Sequence, residues 1–172
     1  KITIDGTPYE PSGAKDAISR GIGYISADRQ ADGLFPPLSV MENLAIARQF
    51  RQPADPRLVR RGVIRRTAVR GFAQGLIARV GVKTERPESP IGSLSGGNQQ
   101  KVIIGRWLAN EPGLLLADEP TRGVSIGSKV DIYRIMREAA LGGLALLVSS
   151  SEFEELVGLC DRILVVAHGR IV

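Results

Sequence analysis

One cysteine and one histidine occur in the whole sequence, and aromatic residues make up only 5% of it. Cys160 alone cannot form an internal disulfide, which fits a reducing compartment. With His168 as the single histidine, a zinc centre of nitrogen and sulfur ligands is excluded. No apolar run approaches the ~20 residues that cross a bilayer. Lys1 opens inside what reads as a strand, not in a basic-then-apolar leader. These residues are therefore expected to be a piece of a longer protein. Also missing is any Gly-Lys-Ser/Thr closing a phosphate loop. The nearest spellings, "GAK" at Gly13 and "GSK" at Gly127, lack the glycine spacing that loop requires.

What is present is ordinary in bulk. The 172 residues are 43% apolar and 24% charged, the make-up of about one globular domain with a real core. The net charge of +5 is unevenly spread. Arginines 48, 51, 57, 60, 61, 65, 66 and 70 share their segment with one acid, Asp55. Such a cluster reads either as a solvated helix face or as a contact for nucleic acid, lipid or an acidic protein. No aromatic interleaves these arginines between Phe50 and Phe72, which weakens base stacking.

Along the chain, Ile2 to Ile4 is a short strand signal and Ser12 a cap for a helix from about 14 to 20. "GIGYIS" reads as a buried strand, and "ADRQADGLFPPL" as loop. Ser39 with Glu42 three residues on is a capping box. After the Pro-bounded "QPADP", apolar spacing predicts one long helix from about 57 to 80, weakened by Gly62, Gly71 and Gly75. Ser95 opens a helix to about 110. Then come "GLLLADEP", a helix over 126–141, "LALLVSS", the short helix "EFEELVGLC", and a third apolar strand, "DRILVVAH". Strands apolar throughout and alternating with helices argue a parallel sheet covered on both faces. The reading is an α/β core, residues 1–27 and 111–172, interrupted by a mostly helical insertion, 28–110.

Two stretches carry chemistry. "LLLADEP" leaves Asp118 and Glu119 where a buried strand exits the sheet, the place where open parallel sheets bind ligands. Adjacent carboxylates there suit Mg²⁺, which takes one or two of them plus waters and phosphate oxygens. One acid can serve the metal while its neighbour orients a water. The bland alternative is two acids ending a strand. In "LSGGNQQK", Ser95 is an N-cap and the glycines allow close approach to the backbone. Free N–H groups and the helix dipole then favour an anion. The bland alternative is a capped helix behind two flexible residues.

The ordered set resembles an ATP-binding cassette (ABC) ATPase, with "LSGGNQQK" as signature motif, "LLLADEP" as Walker B plus catalytic glutamate, and "TRGVSIGSK" as the following loop. Together with "DEPTRGV" and "YISADRQADGL", the spelling looks most like the C-terminal cassette of bacterial monosaccharide importers. The resemblance implies a P-loop NTPase-like α/β core, a parallel sheet with flanking helices, carrying an inserted helical signature subdomain. Its phosphate loop is expected upstream of Lys1. It implies ATP and Mg²⁺ as cofactors, Asp118 at the metal and Glu119 on the hydrolytic water. Ser95, Gly96 and Gly97, with Asn98 and Gln99, would face the γ-phosphate held by an opposing cassette. Ser151 stands where a switch histidine is usual, Ala27 (with Asp28 next) where glutamine is usual, and Ser125 where aspartate is usual. A serine cannot replace histidine as a cationic donor, so a slow or merely binding site is implied. His168 reads as surface or structural. The partners implied are a second cassette, a membrane permease that the insertion would face, and indirectly a sugar-binding protein, at the cytoplasmic face of the membrane. Nucleic acid is not expected. A silent regulatory cassette, or a soluble translation-associated or nucleic-acid-associated ABC protein, are the alternatives.

Overall fold

The computed structural model describes residues 2–4, 6–49 and 55–172. Its centre is a three-stranded parallel sheet in the order β3 (Ile22–Ile25), β6 (Leu114–Asp118), β7 (Ala145–Ser149). The register sets Tyr24 beside Leu116 beside Leu147. A small hairpin, β1 (Thr3–Ile4) with β2 (Thr7–Pro8), and α1 (Ala14–Ser19) lead into β3. Ser12 does not cap α1. Gly13 holds the N-cap position, and the Ser12 main chain donates instead to Asp16 Oδ2 at 3.2 Å.

Between β3 and β6 lie three main helices: α2 (Val40–Gln49), α3 (Arg66–Val80) and α4 (Gly96–Leu108). The capping box at α2 forms as the sequence predicts. Ser39 N–H donates to Glu42 Oε2 at 2.9 Å, and the Glu42 N–H reaches back to Ser39 Oγ. The helix predicted over 57–80 is in fact a hairpin followed by a helix. Val59–Arg60 (β4) pairs with Val63–Ile64 (β5) across Arg61 and Gly62, both at positive φ. The hairpin takes residues 59–64 off any helical path, so α3 starts only at Arg66. Within α3 the buried positions are Val69, Ala73, Leu76 and Val80, one stripe at helical spacing, and Gly71 and Gly75 fall on the exposed side. Gly105 of α4 lets α2 and α3 close in, since a Cβ there would meet Leu44 and Val80. The "ADRQADGL" stretch also differs from the predicted loop. Residues Arg29–Gly33 wind into a short π-helical turn capped by Asp28.

After β6 follow α5 (Ile126–Leu141), β7, α6 (Phe153–Leu159) and a terminal hairpin, β8 (Val166–Ala167) with β9 (Arg170–Ile171). The third apolar run is therefore not a strand of the parallel sheet. His168 and Gly169 at positive φ turn it back on itself, and Leu164, Val165 and Val166 stay exposed. His168 is a surface turn residue, as read from the sequence.

One face of the sheet, through Ile25, Leu115 and Ala117, shares a core with Val102, Ile103, Ile104 and Leu108 of α4 and Ile132, Ile135 and Met136 of α5. The opposite face is not covered in the same way: Tyr24 is 50% and Leu147 61% exposed. The expectation of a sheet buried on both sides is thus met on one side. Apolar side chains occupy both faces of the strands, but α4 and α5 pack against only one.

Candidate functional site

Asp118 is the last residue of β6, half-buried and in register with Ser149 of β7. Glu119 turns the chain out of the sheet at φ 46°, a left-handed conformation that costs a non-glycine residue energy and needs support. Two contacts from the neighbouring strand's exit give it. Glu119 N–H donates to the Ser149 carbonyl at 2.8 Å, and the Ser151 N–H donates to Glu119 Oε1 at 2.7 Å. The other carboxylate oxygen of Glu119 has no hydrogen-bond partner among the described residues. Ser151 thus reaches Glu119 through its main chain, not through its hydroxyl.

The turn after Glu119 is tied down from three directions. Buried Thr121 donates from Oγ1 to Glu155 Oε1 at 2.8 Å, and Ser150 Oγ donates to the other oxygen, Oε2, at 2.5 Å. The Arg122 carbonyl accepts from Arg29 Nη1 at 3.4 Å. Ser125 Oγ contacts Ser128 Oγ at 3.2 Å at the start of α5.

At the head of α4, Ser95 is the N-cap, its hydroxyl accepting from the Asn98 N–H at 3.5 Å and from Asn98 Nδ2 at 3.0 Å. Asn98 Oδ1 takes the Lys83 N–H at 2.8 Å. Gln99 is buried and accepts from Gln30 Nε2 at 3.0 Å. The side chains of Asn98 and Gln99 are therefore committed within the protein. Gly97 is required for space, and Gly96 packs closely against its neighbours. A Cβ on Gly96 would come within 3.0 Å of Arg29 Nη2 and 3.4 Å of the Gly123 carbonyl, and one on Gly97 would overlap Ser128. The helix head thus abuts the turn after Glu119, but no hydrogen bond among the described residues joins 95–99 to Asp118 or Glu119. They form two neighbouring surfaces joined through residues 122–128.

The sequence did not point to Arg29, Arg106 or Glu155. Arg29 and Arg122, with Ala27, Asp28 and Gln30, line a cavity of about 260 Å³. Asp28 is spent on capping, accepting from the Gln30 and Ala31 N–H groups at 3.1 and 2.9 Å. Arg106 donates to the Gly33 carbonyl at 2.7 Å and to Asn43, and burial pushes its guanidinium down to about 10. It clamps the π-helical turn and α2 onto α4. Nothing in the spelling "EFEEL" separates Glu155 from the acid before it.

A basic surface exists but is smaller than the arginine count implies. Arg48 is buried on Asp55, Arg57 shares that aspartate, and Arg70 pairs with Glu88. Arg51 and the 52–54 part of "QPADP" lie outside the described residues. Arg60, Arg61, Arg65 and Arg66 are exposed at the hairpin and the start of α3.

Divalent-metal chemistry is compatible with these donors. No group of three or more His, Cys, Asp or Glu gathers among the described residues, so a protein-only cage is absent. Asp118 suits Mg²⁺, which keeps waters and phosphate oxygens in its shell, and the open oxygen of Glu119 is left for a water beside it. For a nucleotide, the head of α4 offers the unpaired main-chain N–H groups of its first turn, whereas no lysine-bearing phosphate loop occurs in the sequence.

A family model described as "ABC transporter" matches residues 1–122. A ribose import ATP-binding protein, RbsA 1 of Rubrobacter xylanophilus, is 42% identical over 171 residues, 99% of this chain and 33% of the relative. A putative ribose/galactose/methyl galactoside import ATP-binding protein of Pseudomonas fluorescens is 37% identical over 99% of this chain and 32% of its own length. The chain thus spans about a third of these relatives. Among solved structures, the ATP-binding cassette MJ0796, a dimer in a post-hydrolysis state with ADP and Pi, superposes with a TM-score of 0.74 at 22% identity, over 98% of this chain and 69% of that one. At that identity the likeness is one of fold.

Proposed function

Since this chain belongs to the ABC transporter family, we propose that it forms part of the ATP-hydrolysing subunit of an importer for a simple sugar. The observation that carries the reading is Glu119, held at the exit of a parallel strand by Ser151 N–H at 2.7 Å with one oxygen left open. Mg²⁺·ATP, when bound, supplies the transferable γ-phosphoryl group and the metal charge. Asp118 would hold the metal. The open oxygen of Glu119 would orient the attacking water and take its proton, while the Ser151 N–H keeps the carboxylate in place. Ser95, Gly96 and Gly97 would offer hydroxyl and main-chain N–H groups to the γ-phosphate of an opposing cassette, with Asn98 and Gln99 shaping that turn. The sugar assignment is supported by the two relatives named above. The helical insertion, 28–110, would meet a membrane permease, and the sugar itself would be held by a separate binding protein. The site would then work at the cytoplasmic face of the membrane.

The proposal needs a phosphate-cradling loop from outside these 172 residues. The chain alone is therefore expected to bind ATP weakly and to hydrolyse none. Micromolar binding by calorimetry overturns that. In the intact protein, Glu119→Gln is expected to slow Mg²⁺-dependent hydrolysis by about two to three orders of magnitude; an unchanged rate removes Glu119 from the mechanism. A second reading, a cassette that binds nucleotide without turning it over, draws on Ser151, which brings no cationic donor to the γ-phosphate. Intact wild-type protein that binds Mg²⁺·ATP without hydrolysing it would favour this reading.

A further inference from the structure

Glu155 lies in α6 and is 2% exposed. A buried carboxylate needs its oxygens satisfied, and here two hydroxyls do it. Thr121 Oγ1 donates to Oε1 at 2.8 Å and Ser150 Oγ to Oε2 at 2.5 Å. Thr121 follows Glu119 by two residues, and Ser150 directly precedes Ser151, whose N–H holds Glu119 Oε1. The contacts therefore close a ring. It runs from Glu119 to the Ser151 N–H, through one peptide to Ser150, across Glu155 to Thr121, and along two residues back to Glu119. Lys129 of α5 binds Glu152 on the same segment, and no salt bridge to Glu155 forms among the described residues.

We propose that Glu155 is a positioning residue: its buried carboxylate clamps the turn after Glu119 to the segment bearing Ser151 and so fixes the Glu119 carboxylate. Apart from the local turn bond from the Arg122 N–H to the Glu119 carbonyl, Glu119 is held at its strained φ by the Ser149 carbonyl and the Ser151 N–H, which flank the Ser150 that Glu155 binds. Its consequence for hydrolysis rests on the function proposed above for Glu119; the ring itself does not.

Hydrogen exchange on this chain tests the ring directly. Glu155→Ala is expected to speed exchange of the Glu119 and Ser151 amides about tenfold or more, leaving Ile103 and Ile104 of α4 at wild-type rates. Glu155→Gln can accept from one hydroxyl and donate to the other, so it is expected to restore protection. Ser150→Ala, a truncation at a half-buried position, opens the ring from the other side and is expected to speed the same two amides about threefold. The proposal is overturned if Ser150→Ala and Glu155→Ala leave those amides unchanged, or if α4 accelerates equally. In the intact protein, Glu155→Ala is expected to lower kcat about tenfold with the KM for ATP within about twofold, and to add nothing in a Glu119→Gln background. An equal cost in both backgrounds overturns the positioning role. Wild-type protein without hydrolysis counts against the function proposed for Glu119, and the exchange experiment still decides the ring.

Discussion

The Ser151 N–H donates to Glu119 Oε1 across 2.7 Å, so the two carboxyl-end loops of β6 and β7 meet at one carboxylate. Because the donor is main chain, the side chain at 151 is dispensable for this contact. Ser151→Ala is expected to leave the ATP turnover of the intact protein within about twofold of wild type, whereas Ser151→Pro, which deletes the donor, is expected to lower kcat by at least about tenfold. Steady-state kinetics on the two variants decide it. A large loss in Ser151→Ala would mean that the hydroxyl acts on the nucleotide.

Gly97 touches Ser128, and no side chain fits between them. Overpacking such a site costs about 1–3 kcal/mol, and the better helix propensity of alanine recovers at most about 1. The overlap includes Ser128 Cβ, which no rotamer moves. Gly97→Ala is therefore expected to destabilise the chain by about 2 kcal/mol, a fall in Tm of about 4–8 °C at this size. Adding Ser128→Gly removes the obstructing Cβ and is expected to recover at least half of the loss by thermal melting. No recovery would show that the cost lies in the helix cap.

The elements that sequence made legible are those fixed by local chemistry. Ser39 with Glu42, and Ser95 with two glycines, mark helix starts that form as read. The "LLLADEP" run gives β6 with Asp118 at its end. The hairpin at 59–64 was hidden because Val59, Val63 and Ile64 also fit a helical stripe, and only the positive φ at Arg61 and Gly62 decides between the two. The open sheet face was hidden because apolar strands do not say which side is covered. The candidate residues were found by spelling, but their support was not. Glu155, Arg29 and Arg106 act across separations of tens of residues, and no periodicity marks a side chain whose partner is distant in sequence. Asn98 and Gln99 look like free polar groups in the sequence, yet the fold commits both.

Four exposed arginines, 60, 61, 65 and 66, project from the hairpin and the start of α3, away from Asp118 and Glu119 in sequence. If the insertion meets a permease, this surface contributes through charge. Arg60→Glu with Arg61→Glu is expected to weaken permease binding about tenfold at low salt, and less as ionic strength rises past the physiological range. Basal hydrolysis by the intact protein is expected to stay unchanged. Fluorescence binding titrations at two salt concentrations check this. Salt-sensitive RNA binding lost in the same variant would assign the surface to nucleic acid instead.

Asp55 makes an acid-linked contribution to stability. Hydrogen bonds from Arg57, then from buried Arg48, hold its carboxyl far below the usual carboxylate range against the opposing effect of burial. A carboxyl depressed in the folded state binds its proton more readily when unfolded. Its contribution is therefore complete above about pH 4, the unfolded value, and is lost as pH falls towards the folded one. Removing the partner also leaves Arg48, with 10% side-chain exposure, only the solvated Glu111 carboxylate at 3.8 Å. Asp55→Asn is expected to cost about 2 kcal/mol at pH 7, below the usual range for a broken buried pair because Arg57 is solvated. The gap to wild type should stay constant from pH 7 to about 5 and narrow steadily below about pH 4. Urea unfolding across that range measures it. A gap that persists undiminished at low pH would mean that the asparagine disturbs packing around Arg48 and that the ionised pair contributes little.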